Sequence, residues 1–161
     1  MINKLVEIIG KEAALFESFL NLLEQQRDKL VNNDTNGLNE INDRQREKIV
    51  ESQILNKERE KLIKQIKVNN SIEGDLTVSR LIELVDQNQA ERLTQLRSII
   101  LELHDQISDV RNQNAMLVNR SREYISRLMN MLSKVNGPAE IYSNTGTNNQ
   151  TTHAVGVDRR V

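Results

Sequence analysis

The sequence predicts an all-α protein: an elongated antiparallel helical bundle, or coiled coil, of three long helices plus one short helix, with a disordered C-terminal tail. Three observations lead there. Apolar residues recur at alternating three- and four-residue intervals over long stretches, the pattern of a helix with one buried seam. Only two clusters of turn-forming residues interrupt that pattern before a stop at Gly137 and Pro138. Of the 161 residues, 37% are hydrophobic, 28% charged and 2% aromatic, which suits narrow apolar stripes better than a thick globular core. The expected organisation is a helical domain over residues 1–136 and a flexible tail over 137–161.

The first helix is predicted over residues 2–31. Its seam runs Ile2, Leu5, Ile9, Glu12, Phe16, Phe19, Leu23, Gln26, Leu30, and seven of those nine positions are apolar. The stretch "NNDTNG" then favours a turn, with Asp34 or Thr35 as N-cap of the next helix. That second helix, over 36–68, has apolar anchors at both ends, in Leu38 and Ile41 and in Leu55, Leu62, Ile63 and Ile66. Its middle offers only Ile49 and Val50 to a core, among charges such as Glu47, Lys48 and Glu51 that form a solvated face.

"VNNSIEGDLTVS" is the second interruption, with Asp75 or Thr77 capping a short helix, "VSRLIELVDQ". Asn88 is the expected cap of a long helix reaching Val135, roughly 70 Å if straight. Its seam is Leu93, Leu96, Ile100, Leu103, Ile107, Val110, Asn114, Leu117, Ser121, Tyr124, Leu128, Met131, Val135. Eleven of these thirteen positions are apolar, which makes this the strongest pattern in the chain. Gly137 and Pro138 end it, and the Thr-, Asn- and Gly-rich residues beyond have no periodicity, as expected of a segment without structure of its own.

The chemistry of catalysis is poorly represented. With no cysteine, disulfides, thiol catalysis and zinc thiolate sites are excluded. His104 and His153 do not make a metal site by themselves, and Glu102 lies two residues from His104 where helical carboxylate sites need three. Gly10 and Lys11 lack the flanking residues of a phosphate loop. The formal charge is -1, from 22 basic and 23 acidic residues, and no basic stripe carries interleaved aromatics, so nucleic-acid binding has little support. Glu7 and Lys11 within the first apolar stretch argue against a signal peptide, and no window has the apolar length of a membrane span. No cofactor, no enzyme activity and no direct membrane insertion are expected. The remaining expectation is a cytoplasmic binding or scaffold protein.

Three features bear on what is bound. Asn114 interrupts an apolar seam, as a register device or beside a partner helix. Ile125, Met129 and Leu132 widen the stripe of Tyr124, Leu128 and Met131 beyond what a two-helix seam needs. Flexible, polarizable methionines suit either core filling or a surface for an apolar helix, and both readings stay open, as does self-association through the same seam. Tyr142, with Ile141 beside it, stands past the helix stop with almost no apolar company. It either folds back on the bundle end or serves as a short linear motif.

These residues carry a resemblance. The order of two long helices, a short one, a very long one and a polar tail resembles the FlgN family of flagellar export chaperones over essentially the whole chain. "NQNAMLVNRS" is similar to the family's Asn-x-x-Leu-aliphatic pattern, in Asn114, Leu117 and Val118. "IYSNTG" resembles its Tyr with a Gly four residues later, Tyr142 and Gly146, and the tail ends in Arg159, Arg160 and Val161. The resemblance implies a cytoplasmic chaperone that binds the amphipathic C-terminal helix of the hook–filament junction proteins FlgK and FlgL. The last helix would hold that client, through Leu117, Tyr124, Ile125, Leu128, Met129, Met131 and Leu132. Tyr142, Ile141 and Gly146 would engage the cytoplasmic domain of the export gate protein FlhA.

Overall fold

A computed structural model describes residues 1–135. The described residues form helices α1 (Ile2–Val31), α2 (Thr35–Asn69), α3 (Val78–Ile82) and α4 (Gln87–Val135), with no strand among them. Both predicted interruptions are present, and the long helices start and stop within a residue or so of their expected bounds. Among the described residues, two units divide the chain between Tyr124 and Ile125.

Within the first unit the three long helices alternate in direction. The three-residue link between α1 and α2 makes a hairpin, so Gln26 meets Asn42 and Gln45 near the turn while Asn69 reaches Met1 at the other end. The α4 helix runs back alongside α1 in the same direction, since Gln89 pairs with Asn3 and Asn114 with Leu23. Consecutive long helices are thus antiparallel, as the seam pattern predicts.

Local chemistry sets the boundaries. Both α1 and α2 end in a left-handed residue, Asn33 (φ 54°) and Ser71 (φ 51°). The following amides close six-residue bonds back to the helices, Asp34 N–H to Lys29 O at 3.0 Å and Ile72 N–H to Lys67 O at 3.0 Å. Asp34 then caps α2, its Oδ1 accepting from the Gly37 amide at 2.9 Å while Oδ2 pairs with Lys29 Nζ at 2.7 Å. Both contacts hold the Asp34 carboxyl below its ordinary range, Lys29 contributing most. Gly37 permits this, because a Cβ there would lie 2.5 Å from Asp34 Oδ2.

Two boundaries differ from expectation. Thr77 caps α3, but α3 stops at Ile82 instead of running on to residue 87. Asp86 is the reason: its Oδ1 accepts from the Gln89 amide at 2.9 Å, so Asp86, and not Asn88, starts α4.

The principal core lies where the start of α1, the end of α2, α3 and the start of α4 meet. Leu5, Ile66 and Leu93 are its most deeply buried members, and Leu81 brings α3 onto it. The weak middle of α2 is weaker than its sequence suggests: Ile49 and Val50, the residues expected to face a core, are both exposed. Only Ile41, Leu62 and Ile66 of this helix are buried.

One carboxylate is part of the interior. Glu12, at a seam position of α1, is 9% exposed and sits 3.0 Å from the guanidinium Nε of Arg59 on α2. Burial pushes its pKa above the ordinary 4.5, with the Arg59 charge opposing the rise. A carboxyl that holds its proton more tightly when folded stabilises the fold most in its protonated form. That contribution is present below the unfolded value and is lost as pH rises through the folded one. The stability of the native chain relative to Glu12→Gln should therefore fall as pH is raised from about 4 to about 7, measured by urea denaturation. A constant difference, or one of the opposite slope, would contradict this role for burial.

Candidate partner-binding surface

The α4 seam has two different environments. From Leu93 to Asn114 its positions turn inward: Leu93, Leu103, Val110 and Asn114 are buried, and Leu96, Ile100 and Ile107 are partly so. Asn114 is 4% exposed. Its Nδ2 donates to the Leu23 carbonyl and to Gln26 Oε1, each at 2.9 Å. Gln26 Nε2 in turn donates to Asn42 Oδ1 at 2.8 Å, so one polar chain links α4, α1 and α2. Arg27 Nη1 adds a bond to Gln113 Oε1 at 3.1 Å.

Past this point the same spacing continues without burial. Leu117 is partly buried, and Met116 and Val118 beside it are exposed. Tyr124, the last residue of the first unit, is 64% exposed. In the second unit, residues 125–135 are all exposed, including Ile125, Leu128, Met129, Met131 and Leu132. Over these residues the stripe fills no core of the described chain. Ile141, Tyr142 and Gly146 lie outside the described residues.

An apolar side chain left in water forgoes about 1.5–3 kcal/mol that burial would contribute. A run of such residues at helical spacing is therefore a large unrealised gain, of the kind that marks an interaction surface. The i, i+3, i+4, i+7 spacing that a helix-in-groove partner engages is met by Ile125, Leu128, Met129 and Leu132, and again by Leu128, Met131, Leu132 and Val135.

The seam pattern did not disclose a cleft of about 390 Å³ in the first unit, between α1, α2 and α4. Phe16, Phe19, Ile49, Ile100 and Ile107 line it, with His104 at its edge. Its trace in the sequence is the gap in the apolar pattern of α2, which leaves Ser52 and Gln53 opposite two phenylalanines. Among the described residues no cluster of His, Cys, Asp or Glu could hold a metal ion, and no helix is long and apolar enough to cross a membrane.

Two leucines of α4 give a direct comparison. Leu103→Ala should cost about 2–5 kcal/mol, because it empties a buried site. Leu128→Ala should change stability by no more than about 0.5 kcal/mol, as for an exposed position. Denaturant titration of the two variants checks this, and a comparable loss at Leu128 would mean that the stripe supports the fold.

Compared with known proteins, residues 1–150 match the family model described as FlgN protein. No curated protein and no solved structure matches the chain.

Proposed function

This chain belongs to the FlgN family of flagellar export chaperones, and on that premise we propose that it binds the amphipathic C-terminal helix of the hook–filament junction proteins FlgK and FlgL in the cytoplasm. The observation that carries the reading is the apolar stripe on the last turns of α4, which starts at the partly buried Leu117 and is exposed at Tyr124, Ile125, Leu128, Met129, Met131 and Leu132. Holding the client's apolar face would keep that protein from assembling before export.

Magnitudes favour a stripe over a single anchor. Association costs about 4–15 kcal/mol in lost freedom and ordering. One buried side chain contributes about 1.5–3 kcal/mol, so several anchors must be covered together. Methionines at Met129 and Met131 let one surface fit two related clients, because their side chains repack easily. Asn114 would hold the packed part of α4 in register, through its bonds to Leu23 and Gln26, so that the stripe begins at a defined place.

Tyr142 would act on a different receptor, the cytoplasmic domain of FlhA, with Ile141 and Gly146. Only residues 136–141 separate it from the end of α4. A client held on α4 and a gate-binding motif on the same chain raise each other's effective concentration at the gate.

Removing residues 137–161, or making Tyr142→Ala alone, should leave client binding within about twofold by calorimetry, since no stripe residue changes. Either change should weaken binding to the FlhA cytoplasmic domain by at least about tenfold, the loss of one buried aromatic anchor, and reduce export of the junction proteins. Unchanged export by both variants would overturn the assignment of Tyr142.

A further inference from the structure

Resting on the reading of α4 as a client-binding helix, the charge pattern on that helix specifies the client further. On a helix of 3.6 residues per turn, the apolar residues of positions 117–135 occupy an arc of about 160°. Arg120, Arg127 and Lys134 recur at seven-residue intervals along one edge of that arc, next to Tyr124 and Met131. Arg122 lies at the opposite edge, next to Met129. All four are exposed. With Glu123 as the only acidic residue between positions 115 and 135, the segment carries a net charge of +3, against -1 for the whole chain. Over residues 1–114, acidic side chains outnumber basic ones. Positive charge is therefore concentrated where the apolar stripe is exposed.

We infer that the stripe and its cationic edges form one recognition surface, selective for an amphipathic helix of another protein whose apolar face is bordered by Asp and Glu. The geometry is that of flanking positions in a helix pair, where opposite charges set partner choice and orientation. A second copy of this chain fits badly, because its stripe carries the same cations at its edges and like charges would face each other in either orientation. The chain's own residues 136–161 offer two acidic side chains, Glu140 and Asp158, offset by Arg159 and Arg160, so they bring no net complement. A protein helix is favoured over an anionic lipid surface because the stripe continues the spacing by which Leu103, Val110 and Asn114 pack on other helices.

The contribution is one of selectivity and encounter rate more than of total affinity, since charges at the rim of an interface stay partly hydrated. Its signature is salt dependence. Two synthetic amphipathic peptides with the same leucine stripe, one bordered by Glu and the other by Lys, isolate it. Measured against the full chain by fluorescence anisotropy at low salt, the Glu-bordered peptide should bind at least about tenfold more tightly. The gap should close in ~1 M NaCl, where the screening length falls to about 3 Å.

Arg120→Glu combined with Lys134→Glu should reverse the preference. The milder Arg120→Gln with Lys134→Gln should abolish it, and both pairs should keep native helicity, because neither side chain is buried. Equal binding of the two peptides, unaltered by salt or by these substitutions, would overturn the inference and leave the helix-binding role standing. Binding of neither peptide would overturn both. Three other results would each assign the surface elsewhere and overturn the inference. A dimer that excludes the Glu-bordered peptide would assign it to a second copy. Release of the peptide preference only on deleting residues 136–161 would assign it to the tail. Binding to phosphatidylglycerol vesicles without either peptide would assign it to lipid.

Discussion

The Asn114 carboxamide, buried between α1 and α4, donates to the Leu23 carbonyl and the Gln26 side chain, and its place in α4 determines how much of that helix can be covered. An unpaired amide in this setting would cost about 1–3 kcal/mol, so sliding α4 by one turn against α1 is disfavoured by more than packing alone. Beyond this contact α1 ends within about two turns, at Val31. The α4 helix continues to Val135 with its apolar spacing intact. The chain therefore carries more seam on α4 than α1 offers positions to match, and the excess is the exposed stripe.

The same economy of burial explains the rest of the first unit. The core is concentrated at one end of the helices, around Leu5, Ile66 and Leu93, where four elements converge. The middle of α2 gives little to it, and a charged or polar residue such as Glu12 or Gln26 takes the seam position where two helices face each other. Glu12 is tolerated because Arg59 answers its charge, and Gln26 because Asn42 and Asn114 answer its amide. A buried polar group left alone would be far more costly than either arrangement.

Much of this was legible from residues alone. A three-and-four spacing identifies helix and face, and Asn, Asp, Gly and Pro mark the stops, so all four helices could be placed. The cap of α4 is Asp86 and not Asn88; the two are both competent caps two residues apart, and the choice depends on where α3 ends. The fate of the stripe after Leu117 was not legible. Periodicity states which side of a helix is apolar, but burial also requires a partner of matching length, and that is a property of the assembled bundle. The cleft lined by Phe16 and Phe19 is hidden from periodicity for a related reason: it arises from what α2 fails to supply opposite them.

The α4 seam thus packs inward over residues 93–114 and stands exposed over residues 118–135, where the proposed client helix would cover it. Amide hydrogen exchange, resolved along α4 in the free protein and with an added FlgK C-terminal helix, tests this most directly. Ready exchange is expected over 118–135 in the free protein, with strong protection there once the helix is bound and no change over 93–114. Protection that appears only within 93–114, or none anywhere on α4, would contradict it.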